Sequence, residues 1–212
     1  MHFRGMHLSR KNLAVFNIFS WYIRHAIKKN FSGHQFNKIE VNKQEAVLLL
    51  TNHFSWWDGF LMFQLNRLLF KKEFHVLVTD EDYKAHWFLK YLGAFAATHK
   101  GKDVVETLLY AGQLLDDPDN LVLLFPQGKL YPAYAANIAF EKGVMQVVNE
   151  SKKKFQIVFA ANLFDHTTRK PAVYTDLKIW EAEEYMSLQL LKREYNKHYD
   201  QAVKNLSKMR YD

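Results

Sequence analysis

His53 and Asp58 are the residues of this chain whose types and spacing are best suited to chemistry. They lie in the stretch Asn-His-Phe-Ser-Trp-Trp-Asp-Gly, which follows the apolar run 46–51. Such a run, stopping at a polar residue, predicts a buried strand that ends at a sheet edge, where α/β folds place their ligands. If the chain turns into a helix near Trp56, the Asp58 carboxylate can fold back toward the His53 imidazole. That is the geometry of a general base and the group that orients it.

The pair suits proton transfer from a hydroxyl or an amine. A neutral histidine can accept the proton, and a carboxylate on its other nitrogen fixes the tautomer and stabilises the imidazolium that forms. No serine or cysteine nucleophile is needed if the acceptor supplies its own oxygen. A structural interpretation is equally open on spacing alone: His53 caps the strand end and Asp58 caps the following helix.

Composition limits the classes of protein to which this pair can belong. The 212 residues are enough for one domain with a substantial core. The formal charge of +7 indicates an anionic partner, either nucleic acid or an anionic membrane surface. The aromatic content of 16% is high enough for some aromatic side chains to face lipid as well as the core. The chain has no cysteine, which excludes disulfides, thiolate nucleophiles and Cys-ligated zinc and favours a reducing, cytosolic compartment. No stretch reaches the roughly 18 uninterrupted apolar residues of a membrane-spanning helix.

The first 30 residues combine basic and apolar side chains. The basic ones are Arg4, Arg10, Lys11, Arg24, Lys28 and Lys29, and the apolar ones include Leu13, Ile18, Trp21 and Tyr22. This composition predicts an amphipathic helix over residues 1–30 that lies in a membrane interface. An ordinary amphipathic helix packed on the core has the same pattern. Residues 31–212 form the domain that carries the chemistry.

Apolar strands alternate with helical segments along that domain. Predicted strands lie at 36–43, 46–51, 74–79, 92–97, 121–125, 155–163 and 172–180. Predicted helices lie at 59–70, 80–91, 102–115, 144–152 and 184–209. The alternation predicts an α/β fold with a mixed, largely parallel central sheet flanked by helices.

Several stretches, taken in order, resemble the motifs of a known family. Asn52 and His53 with Asp58 resemble the Asn-His-x-x-x-x-Asp signature of the glycerolipid acyltransferases of the lysophosphatidate acyltransferase type. The later motifs of that family are matched by 92–99, by 124–128 (Leu-Phe-Pro-Gln-Gly for Phe-Pro-Glu-Gly), by 140–143 (Phe-Glu-Lys-Gly for Phe-Lys-x-Gly) and, in character only, by 157–161. The resemblance spans residues 45–165, and its ordered spacing is more specific than any single motif.

The resemblance implies transfer of a fatty acyl group from a thioester on coenzyme A or acyl carrier protein to a hydroxyl of a lipid acceptor. His53 would be the general base, Asp58 its orienter, and residues 31–212 the acyltransferase domain. The cationic N-terminal helix and the net charge predict a peripheral position on an anionic membrane surface, which we expect to be the cytoplasmic face of the inner membrane. The substrate-binding residues that the resemblance implies are Asn52, His99, Lys100, Phe125, Pro126, Gln127, Gly128 and Lys129.

Departures from the family pattern concern the acceptor. The third motif of the family carries Glu and Arg where this chain has Gln127 and Leu130, and the second motif ends in Arg where this chain has His99 and Lys100. Arginine is the apt bidentate donor for a phosphate monoester. We therefore predict an acceptor without a terminal phosphate, such as a lyso-aminolipid, with His99, Lys100 and Lys129 near a carboxylate or a smaller charge. The alternative is a 1-acyl-glycerol-3-phosphate acyltransferase in which Lys100 and Lys129 keep a cationic pocket.

Two other classes are weighed against acyl transfer. A non-catalytic lipid-binding protein would keep the fold but would have little reason to keep both His53 and Asp58. A nucleic-acid-binding protein would explain the charge, yet the basic residues are scattered, with a cluster at 152–154, and no recognised motif is present. No histidine spacing suggests a metal, so we predict no metal and no cofactor beyond the acyl thioester.

Overall fold

The computed structural model describes residues 5–99, 101–133, 135–181 and 186–211, with side chains up to residue 208. Within these ranges, eight strands form one sheet: β1 (Met6–His7), β2 (Gly33–Phe36), β3 (Ala46–Thr51), β4 (Glu73–Leu77), β5 (Ala94–Ala97), β6 (Asn120–Leu124), β7 (Phe155–Asp165) and β8 (Ala172–Trp180). The described α-helices are α1 (Leu13–Asn30), α2 (Asp58–Leu65), α3 (Asp80–Ala85), α4 (Lys102–Leu114), α5 (Gly143–Glu150) and α6 (Leu188–Tyr211).

The sheet is mixed and mostly parallel, as the sequence predicts. Its order is β1-β5-β4-β6-β3-β7-β8-β2. The five adjacent strands from β5 to β7 in this order are all parallel to one another. Antiparallel pairs join β1 to β5 and β7 to β8, and β2 joins β8 in parallel. Since parallel strands end at the same edge, the loops after β3 and β6 lie side by side.

Helices cover both faces of the sheet because its central strands are apolar on both sides. Val47 and Leu49 pack with α1 and α2 in one core cluster. Leu48 and Leu50 pack with α4, α5 and α6 in the other. All four leucine and valine side chains of this run are fully buried, which explains why β3 reads as an unbroken apolar run.

Several element boundaries differ from the sequence prediction. The predicted edge strand 36–43 is wrong: the strand is β2, which ends at Phe36. The predicted helix 59–70 divides into α2 and a π-helical turn, 66–70. The predicted helix 80–91 ends at Ala85, and a 3-10 turn follows at 89–92.

The N-terminal segment forms a strand and a helix. Met6 and His7 pair with β5, and α1 begins at Leu13 after its N-cap Asn12 accepts a hydrogen bond from the Val15 amide at 3.1 Å. Residues 1–4 of the predicted helix lie outside the described residues. None of the helices in the described ranges has both the length and the apolar character needed to cross a membrane.

Candidate active site

His53 and Asp58 lie together at the carboxyl end of β3. The Asp58 Oδ2 atom is 3.1 Å from His53 Nδ1. The short turn between β3 and α2 brings the pair together, because Asp58 is the first residue of α2. Asp58 is fully buried, whereas the His53 side chain keeps 20% of its surface exposed. A carboxylate only accepts, so His53 carries its proton on Nδ1, and its Nε2 is left for the substrate side.

Asp58 is held by more donors than His53 alone. Its Oδ2 also accepts hydrogen bonds from the backbone amides of Phe54 and Ser55, at 2.7 and 2.8 Å. Its Oδ1 accepts one from Asn162 Nδ2 at 2.8 Å. These donors stabilise the ionised carboxylate. The amides that Asp58 binds belong to the loop before α2, so it folds back on that loop and does not cap the helix.

Asn52 fixes the end of β3 behind the pair. Its backbone amide donates to the Tyr195 hydroxyl at 2.7 Å, and its side chain bonds the backbone of Asn162. Burial raises the pKa of the Tyr195 phenol well above its usual value. The hydroxyl therefore keeps its proton, which it donates to the Ala160 carbonyl at 2.8 Å. Tyr195 of α6 is in this way bonded to Asn52, which directly follows β3 and precedes His53, and to Ala160 of β7.

The loop after β6 supports His53 from the other side. The Phe125 ring stacks on the imidazole with centroids 3.9 Å apart. Gln127 is fully buried, and its Oε1 accepts a hydrogen bond from the His53 backbone amide at 2.6 Å. Gly128 follows at φ +68, a left-handed conformation that glycine adopts without strain. The β3–β6 register, which pairs Leu50 with Leu124, explains why these loops meet.

A cavity of about 970 Å³ opens beside His53. Much of its lining is apolar, including Phe60, Phe63, Phe74, Val76, Leu89 and Leu92. Phe125, Pro126 and Gly128 line it near the imidazole, together with Trp56. His53 therefore stands at the wall of a large, mostly apolar space, which suits a ligand with a hydrocarbon chain.

Comparison with known families identifies the family to which the chain belongs. Residues 33–161, more than half of the chain, match the family model described as Acyltransferase. The chain belongs to the acyltransferase family. Its general activity is accordingly that of an acyltransferase acting on lipids. A comparison with curated proteins finds no match.

The structure places the sequence-predicted acyltransferase residues in two groups. Phe125, Pro126, Gly128, His99 and Lys129 line the cavity. The other group lies behind the cavity wall: Asn52 and Gln127 are fully buried and hold the backbone around His53. Lys100 lies outside the described residues.

His99 and Lys129 differ in how they are held. The His99 side chain is 84% exposed, and its Nδ1 is 2.9 Å from the Asp103 carboxylate. Lys129 is exposed, and its Nζ lies 5.5 Å from the centre of the Tyr131 ring. Within the described ranges, no three histidine or acidic side chains are grouped closely enough to hold a metal ion.

Four residues of the site went unnoticed in the sequence: Asn162, Thr175, His34 and Tyr195. Thr175 donates to Asn162 Oδ1 at 2.8 Å, and His34 Nε2 is 2.8 Å from Thr175 Oγ1. Asn162 did leave a signal, because it is a polar residue inside the apolar run of β7. The other three stand in amphipathic or charged surroundings, where nothing in the local pattern marks them.

Proposed function

We propose that this acyltransferase moves a fatty acyl group from a thioester on coenzyme A or acyl carrier protein to a hydroxyl of a lipid acceptor without a terminal phosphate. The observation that carries the proposal is the position of His53. Its Nδ1 is held by a buried carboxylate, and its ring stands at the wall of a mostly apolar cavity of about 970 Å³.

His53 acts as the general base. Its Nε2 takes the proton of the acceptor hydroxyl as the hydroxyl oxygen attacks the thioester carbonyl, forming a C–O bond and a tetrahedral oxyanion. Asp58 stabilises the imidazolium that results. Collapse of the oxyanion breaks the C–S bond, and the leaving thiolate takes the proton from His53. The ester and the free thiol leave, and the base is neutral again.

The acyl chain occupies the apolar part of the cavity. The residues that line this part include Phe63, Phe74, Leu89 and Leu92. Burying a fatty chain there is favourable by about 0.8 kcal/mol for each methylene group removed from water. His53 lines the same cavity, so an acyl chain bound there can present its thioester carbonyl to the imidazole.

The charges around the cavity support an acceptor without a phosphate monoester. Its described lining contains the carboxylates of Asp80, Glu81, Asp82 and Glu141 but no arginine, and Lys129 is its one lysine. Carboxylates near a phosphate dianion repel it and so disfavour such an acceptor. An acceptor head group that is neutral or carries an amine suits this lining better.

The outer surface of α1 supports a peripheral position on an anionic membrane surface, which we propose to be the cytoplasmic face of the inner membrane. Leu13, Ile18, Trp21 and Tyr22 are exposed on this helix, and Lys28 and Lys29 lie in its last turn. Aromatic contacts continue from α1 through Phe19, Phe88, Phe60 and Trp56 to the cavity. A membrane in contact with this surface would lie close to the mouth of the site.

The test is transfer of a labelled acyl group from acyl-CoA and from acyl carrier protein to a panel of lyso-lipids with and without terminal phosphates. We expect ester formation with an acceptor that lacks the phosphate and loss of that activity in His53→Ala. A preference for lysophosphatidate would overturn the acceptor assignment and leave the chemistry standing. Saturable lipid binding without turnover, unchanged in His53→Ala, would overturn acyl transfer and leave a lipid-binding protein.

A further inference from the structure

A continuous chain of polar side chains, buried except for the half-buried His34 at its end, runs from the Asp58 carboxylate to the far edge of the sheet. Asn162 Nδ2 donates to Asp58 Oδ1 at 2.8 Å, and Asn162 is fully buried. The amide oxygen of Asn162 accepts from the Thr175 hydroxyl, also at 2.8 Å, and Thr175 is 2% exposed. The Thr175 oxygen in turn lies 2.8 Å from His34 Nε2 on the edge strand β2.

The direction of every bond in this chain is determined by its end at Asp58. The carboxylate can only accept, so the Asn162 amide must point its nitrogen there and its oxygen toward Thr175. Thr175 then donates its one hydroxyl proton to Asn162, so its oxygen must accept a hydrogen bond from His34. His34 therefore carries a proton on Nε2, and its Nδ1 has no hydrogen-bond partner among the described residues.

The charge of His34 agrees with this order. Burial lowers the pKa of His34 to about 4, so the ring is neutral near pH 7. The chain from His34 through Thr175 and Asn162 therefore places no formal charge beside Asp58. Asp58 keeps the buried negative charge that faces His53.

We propose that Asn162 and Thr175 are positioning residues, and that with His34 they form a hydrogen-bond chain of fixed direction that holds the Asp58 carboxylate against His53. This inference rests on the proposed role of His53 as the base. The family match ends at residue 161, so Asn162 and Thr175 lie outside the matched range.

Removing a donor from Asp58 makes its carboxylate more basic. It then holds the imidazolium form of His53 more firmly, so the acid limb of the pH–rate profile moves to higher pH. The titratable groups that the structure places around Asp58 are His53, Tyr195 and, beyond Thr175, His34. Tyr195 and His34 keep their protonation states across neutral pH, since burial raises the pKa of the first and lowers that of the second. A shift of the acid limb therefore reports a change at His53 and not at Tyr195 or His34.

The experiment compares Asn162→Leu, Thr175→Val and Thr175→Ser with the wild-type chain. We expect kcat/KM to fall about 10- to 100-fold in Asn162→Leu and about 3- to 10-fold in Thr175→Val. Both variants should show the acid limb at higher pH, and the KM for the acyl donor should be unchanged. Thr175→Ser keeps the hydroxyl and should restore the wild-type profile. If Asn162→Leu does not fold, the two Thr175 variants decide the question.

Asn120→Leu is the matched control. Asn120 is a buried asparagine at the start of β6 that bonds His75 and the Leu114 carbonyl, away from His53. It should lose stability with no change in the shape of the pH profile. An unchanged acid limb in both Asn162→Leu and Thr175→Val would overturn the proposal, as would a shift of the same size in Asn120→Leu.

A second readout is independent of turnover. The ¹⁵N signals of His53, assigned by their loss in His53→Gln, report which ring nitrogen is protonated. We expect the Nδ1-protonated neutral form in the wild type and, at the same pH, a larger share of the doubly protonated imidazolium in Asn162→Leu and Thr175→Val. If the wild type transfers no acyl group but the His53 signals of the variants differ from those of the wild type in this way, the proposed function fails and the positioning chain stands. Identical signals in wild type and variants would overturn the chain.

Discussion

Asn52 and Asn162 hydrogen-bond each other in both directions. Asn52 Nδ2 donates to the Asn162 carbonyl at 2.8 Å, and the Asn162 amide donates to Asn52 Oδ1 at 2.7 Å. The two residues stand side by side because β3 and β7 are parallel, with Thr51 opposite Ala160. Asn52, which precedes the proposed base His53, is thus tied to the residue that binds Asp58.

The Tyr195 hydroxyl also binds Asn52, so we predict that Tyr195→Phe has a large effect on stability. The change leaves the buried Asn52 amide and the Ala160 carbonyl without the hydroxyl that both bind, at a cost of about 1–3 kcal/mol of unfolding free energy. Urea denaturation measures it. Tyr174→Phe, a change on a half-buried tyrosine of β8, is the control and should have a smaller effect. Equal losses in the two variants would contradict the role given to Tyr195.

Acyl transfer should depend on both members of the proposed catalytic pair, His53 and Asp58. His53→Gln removes the base and should lower kcat by about 10²- to 10⁴-fold. Asp58→Asn should cause a loss of similar size, since an amide in its place can present a donor to His53 Nδ1 and reverse the tautomer. Initial rates with saturating acyl donor measure both effects. His166→Gln, on an exposed loop, should keep the wild-type rate. A wild-type rate in His53→Gln would show that the base lies elsewhere, and a wild-type rate in Asp58→Asn would show that His53 does not need this carboxylate.

Stability should fall at mildly acidic pH because of His34. Burial lowers its pKa from 6.5 to about 4, so between these values the unfolded chain binds the proton more readily than the folded one. The contribution of His34 is present above pH 6.5 and is lost as the pH falls toward 4. It amounts to about 2–3 kcal/mol between pH 7.5 and 4.5.

Denaturation of the wild type and of His34→Gln at these two pH values measures the His34 contribution. The variant should lose less stability on acidification than the wild type. Burial also lowers the pKa of His75 and of His198, so both proteins keep a further acid-dependent loss. The same acid-dependent loss in wild type and variant would contradict the assignment.

Binding to anionic vesicles should depend on the exposed face of α1. Trp21 is 67% and Tyr22 is 55% exposed, so Trp21→Ser with Tyr22→Ser should weaken binding about 10-fold or more without unfolding the chain. Lys28→Glu with Lys29→Glu should weaken binding at low salt and reduce its salt dependence. Sedimentation with phosphatidylglycerol-containing vesicles measures both.

Val203→Ser is the control for the vesicle experiment, since Val203 is an exposed apolar residue on α6. It should leave vesicle binding unchanged. If the α1 variants bind as the wild type does while Val203→Ser binds less, the membrane surface lies on the other side of the molecule.

Much of the fold was predictable because its elements carry local patterns. The central strands are buried on both faces and therefore read as short apolar runs, and their alternation with helices requires parallel crossovers. Boundaries were less accurate where tertiary contacts decide them. Met6 and His7 join the sheet because β5 has an open edge there, and no periodicity in the sequence marks this.

The sequence by itself determined the acyltransferase class and the His53–Asp58 pair, because both members lie in one short turn between a strand and a helix. Only the tertiary structure decided what holds that pair. Asn162, Thr175 and His34 come from three other places in the chain, and strand pairing of β7, β8 and β2 brings them into one line with Asp58. Hydrogen bonds between residues so distant in sequence leave no local pattern, since their partners are chosen by register and burial.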